Sequence, residues 1–89
     1  MNLIEESFKR LYPDKEFNYL AKIKYSGRFK SFNANIRLRL NNLTLNLSKD
    51  WKDIDKEIKI GLIQELLIKL FKTKKHTKNM DMYNSFIKG

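Results

Sequence analysis

A chain of 89 residues and 10.7 kDa has room for one modest core and not for two, so residues 1–89 are expected to form a single domain. Apolar residues make up 42% and aromatics 12%, which excludes a disordered composition, while the absence of cysteine and a lone histidine exclude a disulfide framework and an all-protein zinc site. Lys and Arg number 19 against 10 Asp and Glu, leaving a formal charge of +9, a field that draws in polyanions, nucleic acid first among them.

Residues 2 to 12 place Leu3, Ile4, Ser7, Phe8 and Leu11 at helical spacing, with Glu5, Glu6, Lys9 and Arg10 on the other side, and Pro13 ends the pattern. From Phe17 to Tyr25 every odd position is apolar while Asn18, Lys22 and Lys24 take even ones, which predicts a half-buried strand with Leu20 as its exception. Residues 26 to 31 form a turn or loop in which Gly27 is available for a positive φ. Ala34, Ile36, Leu38 and Leu40 alternate with Asn35, Arg37 and Arg39, Asn41-Asn42 is suited to a two-residue hairpin, and Leu43, Leu45 and Leu47 continue beyond it. Ser48, Asp50 and Asp53 are competent caps for a long helix from about Asp53 to Lys72, with Ile54, Ile58, Leu62, Ile63, Leu66, Leu67, Leu70 and Phe71 on its apolar stripe. After a break at residues 73 to 78, Asn79 can cap a last helix displaying Met82, Tyr83, Phe86 and Ile87. The expected fold is α+β, a three-stranded antiparallel sheet with helices packed on one face, in the order α-β-β-β-α-α.

The charge is segregated. Between Phe17 and Lys49 stand Lys22, Lys24, Arg28, Lys30, Arg37, Arg39 and Lys49 and no acid. Lys22, Lys24, Arg37 and Arg39 are expected to share the solvent face of one hairpin, where opposed like charges repel unless a polyanion neutralises them. Lys69, Lys72, Lys74, Lys75, His76 and Lys78 form a second run. The helix dipole accounts for the first two, and Lys72, Lys74, Lys75 and Lys78 are candidates for an auxiliary phosphate clamp. Tyr25, Phe29 and Phe32 either stack on unpaired bases or seal the edge of the core. Against the functional reading stands a plain one, solubility in a proteome rich in lysine, isoleucine and asparagine.

Catalytic chemistry is missing. His76 has no nucleophile and base beside it, and Gly27, Gly61 and Gly89 make no phosphate loop. Glu65 is either buried in the long helix or solvated at its rim. From Tyr19 to about Lys88 the order of elements resembles the SprT-like zincin metallopeptidases, which run strand, basic loop, strands and a long helix bearing H-E-x-x-H. Residues 25 to 30, Tyr-Ser-Gly-Arg-Phe-Lys, resemble that family's Ser-x-Arg loop; residues 43 to 48 resemble the strand before the helix, and residues 64 to 68, Gln-Glu-Leu-Leu-Ile, fall where the zinc motif stands. Only Glu65 survives of that motif, with Gln64 and Ile68 at the ligand positions and His76 at best a remnant of the third ligand. The resemblance therefore implies a minimal scaffold without peptidase activity, metal or cofactor, in a family many of whose members act at or near DNA.

The expectation is a non-catalytic nucleic-acid-binding domain, for RNA or DNA, of low sequence specificity and cytoplasmic, held by Lys22, Lys24, Arg28, Lys30, Arg37 and Arg39 with the second run assisting. The alternative is a protein-interaction module docking through a strand edge or through Met80, Met82, Tyr83, Phe86 and Ile87. No apolar run is long enough to span a bilayer, and a membrane-surface role through Leu3, Ile4 and Phe8 is disfavoured by the acids beside them.

Overall fold

The computed structural model describes residues 2–89. Its first helix, α1 (Leu3–Leu11), starts where the Asn2 side chain accepts the Glu5 N–H at 2.9 Å. Acids fill its first turn and bases its last, complementing the helix dipole. Ile4, Phe8 and Leu11 are buried in the core, so the face that a membrane-surface role required is occupied by the protein itself.

Three strands follow: β1 (Leu20–Ser26), β2 (Ala34–Arg39) and β3 (Asn42–Ser48). The α+β class, the element order and the one-sided helical cover are as expected. The sheet, however, is mixed and not antiparallel: its order is β1-β3-β2, with β1 parallel to β3 and β2 antiparallel to it. Burial explains the order. Leu43, Leu45 and Leu47 of β3 have no exposed surface, whereas Ala21, Ile23, Ala34, Ile36 and Leu38 are only half-buried, so the most apolar strand takes the centre. The strands bearing Lys and Arg take the edges, where charge discourages pairing with other chains. Phe17 and Tyr19 precede β1 and pack their rings on Phe8, 5.2 and 6.1 Å away.

Two turns depart from expectation. The segment 27–33 carries the chain from β1 past the end of β3 to β2, and its left-handed residue is Phe32 (φ 56°), not Gly27. Phe32 is held there by edge contacts with Trp51 and Phe86, 5.1 and 5.2 Å away. The hairpin between β2 and β3 turns on Leu40-Asn41, because Arg39 pairs with Asn42. This puts Leu40 in the left-handed region at φ 55°, which costs a leucine about 1 kcal/mol or more.

A 3₁₀ turn (Lys49–Asp53) seats the wholly buried Trp51 and leads to α2 (Lys56–Phe71), capped by Asp55 instead of an earlier residue. The turn intervenes, so Ser48, Asp50 and Asp53 fall outside the long helix. Ile60, Gly61, Leu62, Ile63, Gln64 and Leu67 are all buried, which is more than one stripe; α2 lies between the sheet and its companion helices, and a helix so placed is apolar nearly all round. The last helix, α3 (Lys78–Lys88), is capped by the Thr77 hydroxyl, which accepts the Met80 N–H. Asn79 lies inside it and donates from Nδ2 to the Glu57 carbonyl at 2.9 Å. Met80 enters the core, Tyr83 and Phe86 pack on Trp51, and only Met82 and Ile87 of the predicted greasy surface are exposed.

Opposite the sheet, Arg10 joins Glu6 (2.5 Å) to Glu57 (2.7 Å), and Lys56 adds a contact to Glu6 at 3.0 Å. The Lys56 hydrogen bond holds the Glu6 carboxyl below its usual range, and the Arg10 hydrogen bond does the same for Glu57. Depressed carboxylate pKa values stabilise the fold above the unfolded value of about 4.3, and that contribution disappears as pH falls through the folded values. Melting temperature is therefore expected to change little from neutrality down to about pH 5 and to fall below about pH 4. The acid-side fall should be shallower in Arg10→Gln, which thermal melts across this range would measure.

Candidate nucleic-acid interface

The pleat sends alternate residues to opposite faces, and the helices cover only one. The other face carries three columns. Leu20, Lys22 and Lys24 come from β1, Asn42, Thr44 and Asn46 from β3, and Arg39, Arg37 and Asn35 from β2. The pairings make rows: Leu20–Asn42–Arg39, Lys22–Thr44–Arg37 and Lys24–Asn46–Asn35. Asn46 Nδ2 donates to Asn35 Oδ1 at 3.0 Å, tying two amides of one row. None of these nine residues is an acid.

The four predicted cations thus share one wet face, but they do not oppose one another in a hairpin. A column of amides and a hydroxyl separates them, about 10 Å across two strand spacings. Unit charges at that distance repel by about 0.4 kcal/mol in water, and a Debye length of about 10 Å at 0.1 M salt reduces this to near 0.2. The expected like-charge penalty is therefore small, because β3 lies between the two basic strands. Among the described residues no ion pair takes in Lys22, Lys24, Arg37 or Arg39; all the ion pairs lie on the helical side.

Arg28 and Lys30 are both exposed on the segment that passes the end of β3. Lys49, at the exit of β3, lies alongside Gly27. These cations extend the basic surface past the Ser26–Ser48 end of the sheet. A shallow groove of about 360 Å³ runs along the β1–β3 seam, bordered by Leu20, Lys22, Lys24, Asn42 and Thr44. The aromatics named beside this patch seal the core instead of lining it. Tyr25 is half-buried with the Lys52 ammonium 5.3 Å from its ring centroid, Phe29 is half-buried, and Phe32 packs as described. No aromatic ring belongs to the three columns, so the face offers charge and hydrogen bonds but no stacking platform.

Lys69, the first of the second basic run, borders the depression beside Asn35 of β2, while the segment from Thr73 to Thr77 is tied to the helical side. Its long-range bonds go to α1 and α2: Thr73 to the Tyr12 hydroxyl, Lys75 Nζ to the Leu11 carbonyl at 2.9 Å, and Thr77 to Gln64. Lys75 also stands 5.4 Å from the Tyr12 ring centroid, completing the end of α1. Lys72 is the left-handed C-cap of α2, and Lys74 and Lys78 are exposed. His76 bonds Asp81 at 2.6 Å. Lys72, Lys74, Lys75 and Lys78, the residues of the expected auxiliary phosphate clamp, thus stand on a segment tied to Leu11, Tyr12 and Gln64.

Comparison with protein-family models, with curated proteins and with solved structures finds no match for this chain. Its chemistry must be understood from its own residues. Gln64 is wholly buried; its Nε2 donates to the Ser7 carbonyl at 3.3 Å and its Oε1 accepts from the Thr77 hydroxyl. Both ends of the amide are engaged in joining α1, α2 and the start of α3. Ile68 packs against the core, and Glu65 accepts a 2.8 Å bond from Asn84 Nδ2. Among the described residues no three His, Cys, Asp or Glu side chains gather as a metal site requires, and no helix is long and apolar enough to cross a membrane.

Sequence reasoning missed the middle column and the exposed leucines. The Leu20 exception to alternation was a visible sign of the latter. It is apolar at an outward position and 72% exposed. Asn42, Thr44 and Asn46 gave no such sign, because small polar residues are ordinary on an outward face.

Proposed function

We propose that this chain is a non-catalytic, electrostatically driven nucleic-acid-binding domain of low sequence specificity, working in the cytoplasm on a SprT-like scaffold that carries no metal motif. One observation supports it above the rest. Lys22, Lys24, Arg37 and Arg39 stand in two columns on an uncovered sheet face whose nine column residues include no acid, while the ion-paired acids Glu6, Glu57 and Asp81 lie elsewhere. The neutral column between them supplies donors and acceptors for phosphate, sugar or base edges.

Neutralising about four phosphates releases their counterions, so the slope of log K against log salt is expected to be near −3.6 for a duplex. Fluorescence anisotropy with labelled DNA and RNA oligonucleotides at several salt concentrations measures it. An affinity that is absent, or that salt does not weaken, sinks the proposal.

A second function is favoured by the outer edge of β2. Arg39 and Asn42 close the hairpin, and Ser48 donates its N–H to the Asn33 carbonyl at 3.0 Å. By the antiparallel pattern this leaves the main-chain groups of Ala34, Ile36 and Leu38 pointing away from β3. A depression of about 280 Å³ between β2 and α2 lies along that edge, a place for a protein partner to add a strand. The edge of β1 is partly blunted, since Asn2 donates to the Ala21 carbonyl at 3.1 Å. Mass measurement in solution separates the two functions: a monomer that binds oligonucleotide favours the first.

A further inference from the structure

Two exposed leucines at the Leu20–Asn42 end of the sheet, one outward on β1 and one in the hairpin turn, do nothing for the free fold. Leu40 is 88% exposed and holds a left-handed backbone at φ 55°. Gly or Asn is the usual occupant of such a position in a two-residue hairpin, and Asn follows immediately at 41. An exposed side chain and a strained backbone meet in one residue, and no packing contact compensates either. Leu20 stands beside it at 72% exposure, its N–H donating to the Asn41 carbonyl at 2.8 Å. It points outward because it shares the alternation of Lys22 and Lys24. The two leucines bracket the amides of Asn41 and Asn42, with Arg39 on one flank and Lys22 on the other.

We propose that this hairpin tip is a wedge for the minor groove of a double-stranded nucleic acid, a proposal that rests on the nucleic-acid function argued above. Leu40, backed by Leu20, enters a base step from the minor groove and partly unstacks it. Asn41 and Asn42 present amide N–H groups to the acceptors on the groove floor, and Arg39 and Lys22 meet the phosphates at its rims. The minor groove of B-form DNA is only about 6 Å wide, and a two-residue turn is a narrow projection suited to it. The groove along the β1–β3 seam leads from Leu20 to Lys24 and gives the adjoining backbone a path over the face. The lack of aromatic rings among the columns favours a duplex over unpaired bases, which need a stacking surface. Leucines flanked by cations also suit a lipid surface, but the amides of Asn35, Asn41, Asn42 and Asn46 argue against it, since entering the acyl region would strip them of water without offering partners.

Leu40→Asn tests the wedge because it removes the apolar tip, relieves the backbone and changes no charge. The wild-type protein and this variant are compared in thermal melts and in binding to a short A·T-rich duplex and to a single strand of the same length. Fluorescence energy transfer between the duplex ends reads bending, and vesicles of phosphatidylserine and phosphatidylcholine form a separate arm. The variant is expected to melt a few degrees higher, to bind the duplex about tenfold more weakly with an unchanged salt slope, and to lose the bend and the preference for duplex. Leu20→Gln is expected to weaken duplex binding without the gain in melting temperature. A variant that binds and bends duplex as the wild type does overturns the wedge while leaving the nucleic-acid function standing. Wild-type protein that binds no oligonucleotide in a salt-dependent way overturns that function itself. Leucine-dependent binding to vesicles, with duplex binding indifferent to Leu40, overturns the wedge in favour of a lipid contact.

Discussion

Gly61→Ala is expected to lower the melting temperature by about 15 °C or more, equivalent to roughly 3 to 5 kcal/mol for a domain of this size. Helix propensity works in the opposite direction, since alanine in a helix interior is favoured over glycine by about 1 kcal/mol. Packing decides the sign. A β-carbon at position 61 would sit 1.9 Å from the Asn79 carbonyl oxygen, 2.5 Å from its carbon and 2.9 Å from the Tyr83 β-carbon. Two of these atoms are backbone, so no rotamer relieves the clash and the first turn of α3 must shift away from α2. That shift strains the Asn79 bonds to Glu57, uncovers Met80 and loosens the Thr77–Gln64 contact that ties α3 to the core. A small single-core domain has total stability near the lower end of about 5 to 15 kcal/mol, so urea or thermal unfolding should show an appreciable unfolded population. A melting temperature equal to or above that of the wild type would mean that α3 is not held at this approach.

Period-2 and helical patterning located all three strands and all three main helices, because alternation and the helical repeat report which face of an element is buried. They do not report neighbours. Lys22, Lys24, Arg37 and Arg39 were legible as outward, but strand order depends on comparing whole strands. The clue was that Leu43, Leu45 and Leu47 have no charged residue between them, whereas both flanking strands do. Helix starts were harder: Ser48, Asp50 and Asp53 are all competent caps, and the actual cap, Asp55, was not among the expected ones because it follows from the turn that buries Trp51, a tertiary demand. Thr77 displaced Asn79 as a cap for a similar reason, since docking on Glu57 engages the Asn79 side chain. The hairpin turn moved from Asn41-Asn42 to Leu40-Asn41 although the local preference points the other way, and nothing in the core accounts for it. Both registers keep Leu38, Leu43, Leu45 and Leu47 inward, but only the Asn41-Asn42 register would also turn Leu40 inward, and in the structure it is exposed.

The site was legible in its charge and not in its layout. A run from Phe17 to Lys49 without an acid is visible in the sequence, but the spacing that makes those cations compatible comes from the insertion of β3 between their strands. The Lys72–Lys78 run had the same sequence signature and a different fate, because Lys75 reaches Leu11 and Thr73 reaches Tyr12 across the fold. A lysine cluster alone does not distinguish a surface that awaits a polyanion from one that finishes a helix end.

That contrast sets up the largest functional effect. Replacing Lys22, Lys24, Arg37 and Arg39 together by glutamine is expected to reduce nucleic-acid affinity about a thousandfold at 0.1 M salt and to flatten the salt slope from near −3.6 toward zero, since each lost phosphate contact removes about 0.9 from it. The fold should tolerate the change. These side chains are exposed, among the described residues none joins an ion pair, and their repulsion is only a few tenths of a kcal/mol per pair. Melting temperature therefore serves as the internal control, with a shift of no more than a few degrees. Net charge must be separated from patch, so a second variant carries Lys72→Gln, Lys74→Gln and Lys78→Gln with Lys75 left to hold Leu11. If affinity follows the uncovered sheet face, this variant keeps most of its binding and most of its slope. Equal losses per charge removed in the two variants would mean that the protein attracts polyanions through overall charge alone, and the rows of β1, β3 and β2 would have no special part in it.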